Sequence, residues 1–213
     1  AARDYAQGEL APNAAHWDAE GIFPREAFAR AGEMGFCAIY ASEEIGGLGL
    51  PRLDATLVFE EMAAVDPSTT AFLTIHNMAT WMVGQWGQTA LRAEWGPALA
   101  SGQKLASYCL TEPGAGSDAG SLSTRAEREG GDYVINGAKT FISNGLHAGL
   151  VGVVAKTDPT KGAKGTSLLF VETDGAEGFE RSKDPVPNRR KSGQIIAALW
   201  RKRGVRQQAK VRR

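Results

Sequence analysis

Tyr108-Cys109-Leu110-Thr111-Glu112-Pro113-Gly114-Ala115-Gly116-Ser117-Asp118 is the stretch on which the fold turns. A run fit for a strand ends there in a Gly-rich loop with free backbone N–H groups and two hydroxyls. These are ingredients for holding a phosphate or the polar edge of a planar cofactor. The segment Gly114-Ala115-Gly116-Ser117-Asp118-Ala119 matches the dinucleotide pattern GxGxx(G/A). That pattern works only when a helix follows at once and aims its N-terminus at a pyrophosphate. Residues 121–129 lead instead into a Gly-Gly turn and another strand, and Asp118 would set a negative charge beside the phosphates. The Rossmann match is accidental. No GxxxxGK(S/T) element occurs, so a P-loop is excluded, and a plain surface turn stays open as the alternative.

Beyond this loop, short strands are expected at 104–110, 124–128, 133–136, 140–143, 150–155 and 166–172, with Gly130-Gly131 and Asn136-Gly137 as turns joining antiparallel strands. No helices intervene, which predicts an antiparallel β-domain and not a βαβ sheet. Residues 159–165 read as an exposed hairpin loop. Ahead of the loop the first hundred residues read as helices. One ends across 4–17, a second carries Phe28, Ala31 and Met34 after a first-turn Pro24, and Gly35 stops it. Leu53, Leu57, Val58, Met62 and Val65 give an apolar stripe closed by Asp66-Pro67. Ser68 is placed to cap a long helix whose 70–83 segment suits the centre of a bundle, and a shorter helix over 89–101 is expected to break at Gly96-Pro97. The fold class is α+β: a helical domain over 1–101, a barrel-like β-domain over 102–180, and a tail over 181–213 of no recognised fold.

Composition sets the boundary of that tail. The 213 residues carry 24 basic and 24 acidic side chains, but 1–180 sum to −11 and 181–213 to +11. Balanced overall charge argues against nucleic acid as partner, and no run approaches a membrane span. Two cysteines and three scattered histidines make a disulfide scaffold or a protein-held metal unexpected, and suggest a reducing compartment. The start, without Met or a signal pattern, reads as a mature or truncated N-terminus.

The loop, together with Asn136-Gly137-Ala138-Lys139-Thr140-Phe141-Ile142-Ser143-Asn144-Gly145, resembles the flavin-binding signature of the acyl-CoA dehydrogenases. The order of a helical then a β-domain, the Gly46-Gly47-Leu48-Gly49 loop and Ile75-His76-Asn77-Met78 agree. The last of these, with Trp81-Met82, is most similar to members acting on isobutyryl-CoA in valine breakdown. The resemblance implies an FAD-dependent oxidoreductase that removes hydrogens from the α and β carbons of a short or branched acyl-CoA. An electron-transfer flavoprotein then takes the electrons, in the bacterial cytoplasm or the mitochondrial matrix. It implies that Tyr108, Cys109, Leu110 and Thr111 lie along the flavin ring. Gly116 and Ser117 approach the flavin or the acyl-CoA chain, with Ser117 as the substrate contact, and Phe141, Ile142 and Ser143 cover the other ring face. Phe141 and Ser143 stand where many members have Trp and Thr, which keeps an apolar face and a hydroxyl but loses the indole donor.

The resemblance covers about 4–179. The family's C-terminal helical domain, with its catalytic Glu and its subunit interface, is not recognisable, so no catalytic base is nominated and Glu112 reads as a loop residue bonding backbone. An inactive fragment that keeps flavin- and acyl-CoA-binding elements is the alternative function, and an oxygen-using acyl-CoA oxidase relative a third. His76 reads as a core histidine, Trp81, Trp86 and Trp95 as core or domain-interface residues, and Lys161 and Lys164 as solvated, with contact to a CoA phosphate as their alternative. The basic tail is a polyanion-binding module, a solvated extension or an out-of-frame translation; the last accounts for both the charge change and the loss of pattern.

Overall fold

A computed structural model describes residues 1–181 and the strand Gly193–Ile195. Its described residues separate into two units, one built from Ala1–Gln85 and Thr89–Leu105, the other from Trp86–Gln88, 106–181 and Gly193–Ile195.

In the first unit, α1 (Ala2–Tyr5) runs into a π turn (Ala6–Leu10), followed by α2 (Ala14–Glu20), α3 (Arg25–Glu33), α4 (Arg52–Ala63), α5 (Pro67–Trp86) and α6 (Thr89–Ala100). The single segment expected over 4–17 is split, because Pro12 has no N–H to extend the ladder; the Asn13 amide instead donates to the Glu9 carbonyl at 3.0 Å. Pro24 is the N-cap of α3 and not part of its first turn. Gly35 ends this segment at φ +79°, and any Cβ there would meet the Leu48 side chain at 2.8 Å. Tyr5, Leu10, Phe28, Ala31, Ile39, Met62 and Leu73 form the core.

The stripe expected on α4 is corrected. Ala55 and Met62 are buried and Val58 and Phe59 pack against the core, at spacing i, i+3, i+4, i+7. Leu53 and Leu57 fall on another face and are 69% and 55% exposed. The cap of α5 is also reassigned. The Asp66 carboxylate accepts from the Ser68 and Thr69 N–H groups at 3.0 and 3.1 Å, and Pro67 takes the first helical position, where its missing N–H costs nothing. The buried face of α5 is polar at Thr69, Thr70, His76, Asn77 and Thr80. Each group needs a partner there. Asn77 donates to the Phe36 and Leu73 carbonyls at 2.8 and 2.9 Å and accepts from Ile39 N–H at 2.7 Å, while His76 Nε2 meets the Leu99 carbonyl at 2.9 Å. His76 is a core histidine. Finally, α6 continues through Gly96-Pro97: the proline removes one N–H, and Gly96 leaves room for Ile45, which a Cβ would strike at 2.7 Å.

The second unit holds β1 (Ala106–Cys109), β2 (Arg125–Glu129), β3 (Asp132–Asn136), β4 (Lys139–Ile142), β5 (Leu150–Lys156), β6 (Thr166–Glu172) and β7 (Gly193–Ile195). The sheet is mixed, not antiparallel. Both β1 and β2 run parallel to β5, while β2–β3 and β5–β6 are antiparallel. Parallel pairing needs no helix here, since the excursion through β2, β3 and β4 returns the chain in its original direction. Gly130-Gly131 makes the expected two-residue hairpin between Glu129 and Asp132, with Gly130 at φ +64°. Asn136-Gly137 does not join two strands of one sheet, for β4 pairs with β7. The loop Pro159–Gly165 is exposed up to its buried Gly165 and joins β5 to β6. Cys109, Ile135, Ile142, Val151, Val153, Leu169 and Val171 form the core of this unit. Arg181, the first residue past the charge boundary, donates to the Leu146 and Ala148 carbonyls at 2.7 Å each.

Candidate functional site

β5 is the scaffold on which the Gly-rich loop is strung. β1 pairs with the first half of β5, ending with Cys109 beside Val153, and β2 begins with Arg125 beside Lys156. The loop leaves and re-enters along β5 three residues apart, on the order of 10 Å at strand rise. Between those points 110–124 lie outside the strands, and such a loop must be closed by specific bonds to keep one shape.

Glu112 closes it. The turn is cinched by reciprocal bonds between Glu112 and Ala115, N–H to carbonyl at 3.0 and 3.1 Å. The buried carboxylate then reaches the other end of the loop: one oxygen accepts from Ser123 N–H at 2.6 Å and Ser123 Oγ at 2.7 Å, the other from Thr124 N–H at 3.0 Å and from Thr124 Oγ1. The second oxygen also accepts from Lys139 Nζ at 2.8 Å. Burial alone would raise the Glu112 pKa, but the bonds from Lys139, Thr124 and Ser123 outweigh it and hold the group at about 2. Burial pulls the Lys139 ammonium below its ordinary value, against the pull of Glu112. Glu112 is thus the loop residue bonding backbone that the sequence suggests, and more besides.

Lys139 joins the two sequence motifs. Its Nζ also donates to the Leu110 carbonyl at 2.9 Å, Thr140 N–H donates to the Thr111 carbonyl at 2.9 Å, and Ser107 Oγ donates to the Ser143 carbonyl. The segments carrying Tyr108, Cys109, Leu110 and Thr111 and carrying Phe141, Ile142 and Ser143 therefore run side by side. Cys109 and Ile142 point into the β core, and burial pushes the Cys109 thiol up to about 12, so it is inert at neutral pH. Tyr108, Leu110, Thr111 and Ser143 are half-buried.

Phe141 is 55% exposed and sits at φ +56°, where the register of β4 shifts between Lys139 and Ile142. A left-handed phenylalanine costs on the order of 1–3 kcal/mol and holds only where its surroundings dictate it. Gly116 and Ser117 stand exposed on the loop, and a Cβ at Gly114 or Gly116 would meet nothing within 4 Å. Packing within the chain does not require these glycines; open space above the backbone does suit a ligand laid against its N–H groups. The sequence reading missed Lys139, Ser123 and Thr124. A lysine in the short strand 139–142, beside Phe141 and Ile142, is the signal that could have exposed the first. Among the described residues no group of three His, Cys, Asp or Glu could hold a metal, and no helix is long and apolar enough to cross a membrane.

Comparison with known proteins decides the family. Residues 1–103 match "Acyl-CoA dehydrogenase, N-terminal domain" and residues 107–205 match "Acyl-CoA dehydrogenase, middle domain". The chain belongs to the acyl-CoA dehydrogenase family. Mitochondrial isobutyryl-CoA dehydrogenase of Dictyostelium discoideum is 49% identical over 173 residues, covering 81% of this chain and 42% of the relative. The Bos taurus enzyme of the same name is 42% identical, covering 79% and 40%. A solved glutaryl-CoA dehydrogenase of Mycobacterium smegmatis in complex with FADH2 superposes with TM-score 0.83 at 26% identity, over 93% of this chain and 51% of that one. The chain thus spans about two fifths of the length of these curated relatives. Acyl-CoA dehydrogenases are FAD-using oxidoreductases. The middle-domain match runs past the charge boundary at residue 180 and takes in β7.

Proposed function

We propose that this chain carries the flavin-binding portion of an FAD-dependent acyl-CoA dehydrogenase acting on a short or branched acyl-CoA, isobutyryl-CoA foremost. The observation that carries the reading is the joining of Tyr108–Thr111 to Phe141–Ser143 beside a loop whose glycines face open space. When bound, FAD would supply the acceptor for a β-hydride, and an electron-transfer flavoprotein would then take the electrons. The chain's own residues bind and orient. The Thr111 and Ser143 hydroxyls and the main chain of 109–111 offer donors and acceptors to the polar edge of a flavin. Phe141 offers an apolar ring face, with Ile142 behind it in the core. Gly116 and Ser117 offer N–H groups and a hydroxyl to phosphates or to the acyl-CoA chain. The relatives that share isobutyryl-CoA in their names favour that substrate.

Glu112 does not take the α-proton. A carboxylate held at about 2, with both oxygens engaged, is a poor base near neutral pH. That favours, as a second reading, a polypeptide that binds flavin and acyl-CoA without turnover. One experiment separates the two. The purified chain is expected to be yellow, and anaerobic isobutyryl-CoA should bleach it if this polypeptide turns over. A yellow protein that does not bleach supports binding alone, and a colourless protein refutes both.

A further inference from the structure

We propose that the buried Glu112–Lys139 pair is a positioning device for the flavin, setting the spacing between the strand end at Leu110-Thr111 and the strained Phe141. The proposal rests on the FAD-binding reading above and assigns to two residues outside the contact set the job of holding that set in place. The pair is almost wholly withdrawn from solvent, with side-chain exposures of 1% for Lys139 and 2% for Glu112. Such a pair is a poor way to gain stability, since desolvating both charges offsets most of their attraction. Closing the loop does not require Lys139 either, because Ser123 and Thr124 already give the Glu112 carboxylate four bonds.

What Lys139 adds is a buried side-chain link from β4 to the strand end at Leu110. One ammonium bonds both the Leu110 carbonyl and the Glu112 carboxylate. Its own main chain enters the register shift that turns Phe141 to φ +56° and out to solvent. Thr140 adds the bond to the Thr111 carbonyl. The ammonium therefore ties together the two segments that carry the candidate ring contacts. A ligand-facing constellation is only as well placed as the shell supporting it.

The test uses the full 213-residue chain, with FAD as the probe. Flavin affinity is read by fluorescence quenching, flavin environment by visible circular dichroism, and folding by thermal melting. Lys139→Met leaves a buried carboxylate uncompensated and should lose both stability and flavin. The double variant Glu112→Gln/Lys139→Met removes both charges and should melt above Lys139→Met, while the amide NH2 set against the Ser123 and Thr124 donors keeps it below the wild type. It should still bind FAD at least about tenfold more weakly, the scale at which loss of a supporting partner loosens a held group. The flavin dichroism should be altered. Glu112→Asp keeps both charges but shortens the reach, and should fold with weakened flavin binding. Wild-type affinity and dichroism in both the double variant and Glu112→Asp would overturn the positioning role and leave the FAD reading intact. No flavin bound by the wild type would overturn that reading and the proposal with it.

Discussion

At the scale of single residues, one carboxylate and one strained aromatic account for most of the site. Because the Glu112 pKa falls from 4.5 to about 2 on folding, its contribution to stability is fully present above pH 4.5 and is lost as pH drops through about 2. That shift corresponds to at most about 3 kcal/mol. Acid unfolding of the chain should therefore have a component between pH 4.5 and 2 that is missing in Glu112→Gln, measured by urea melts across that range. Phe141 makes the opposite kind of contribution. Replacing it with Gly frees the left-handed backbone of strain and removes a half-exposed ring with little packing to lose. Phe141→Gly should stabilise the ligand-free chain by about 1 kcal/mol in a denaturant melt while weakening FAD binding. A loss of stability in that variant would show that the ring packs on the chain and does not wait for a ligand.

At the scale of elements, what was legible in the sequence depended on whether a local signal or a distant partner decided the outcome. The six strands that the sequence places between 104 and 172 all form, since alternation and Gly-Gly turns are local. The parallel pairing of β1 and β2 with β5 was not legible, because direction depends on where an excursion of up to about 40 residues returns. The two motifs at 108–118 and 136–145 were legible as a pair, but the lysine that joins them was not, since an ion pair spanning 27 residues leaves no periodic trace. On α4 a leucine pattern misled because Ala55, with almost no hydrophobic signal, occupies the buried stripe. On α5 the inner face is polar, and Asn77 shows why it is tolerated: its amide stands in for missing backbone partners of the 36–39 segment. Asn77→Leu keeps the branched shape and heavy-atom count but leaves the Ile39 N–H and Phe36 carbonyl buried and unmet. It should cost about 2–5 kcal/mol in chemical denaturation. In the second unit the comparable point is Gly137, where a Cβ would fall 2.3 Å from Thr124 Oγ1. Gly137→Ala should displace the hydroxyl that bonds Glu112, at a cost of about 1–3 kcal/mol in the same assay.

At the scale of the whole molecule, the charge reversal near residue 180 and the structural record do not share a boundary. Arg181 is already bonded to the Leu146 and Ala148 carbonyls, and Gly193–Ile195 pairs antiparallel with β4 from Lys139 to Ile142. The strand partner of β4 therefore comes from the basic segment, and β4 is the element that carries Lys139 and Phe141. A chain ending at Arg181 would lose that partner and leave β4 with unpaired N–H and carbonyl groups along one edge. It would also carry a net charge of −10, which destabilises a compact state through self-repulsion. Hydrogen exchange followed by mass spectrometry separates the two effects. If pairing dominates, protection should fall over 139–142 and hold over the β2–β3 hairpin, and added salt should not restore it. If charge dominates, protection should fall across the chain and recover at about 0.5 M salt, where the screening length drops below about 5 Å. The register of β7 on β4 favours the first outcome, with weaker FAD binding expected to accompany it, because the strand that loses its partner is the one that presents Phe141.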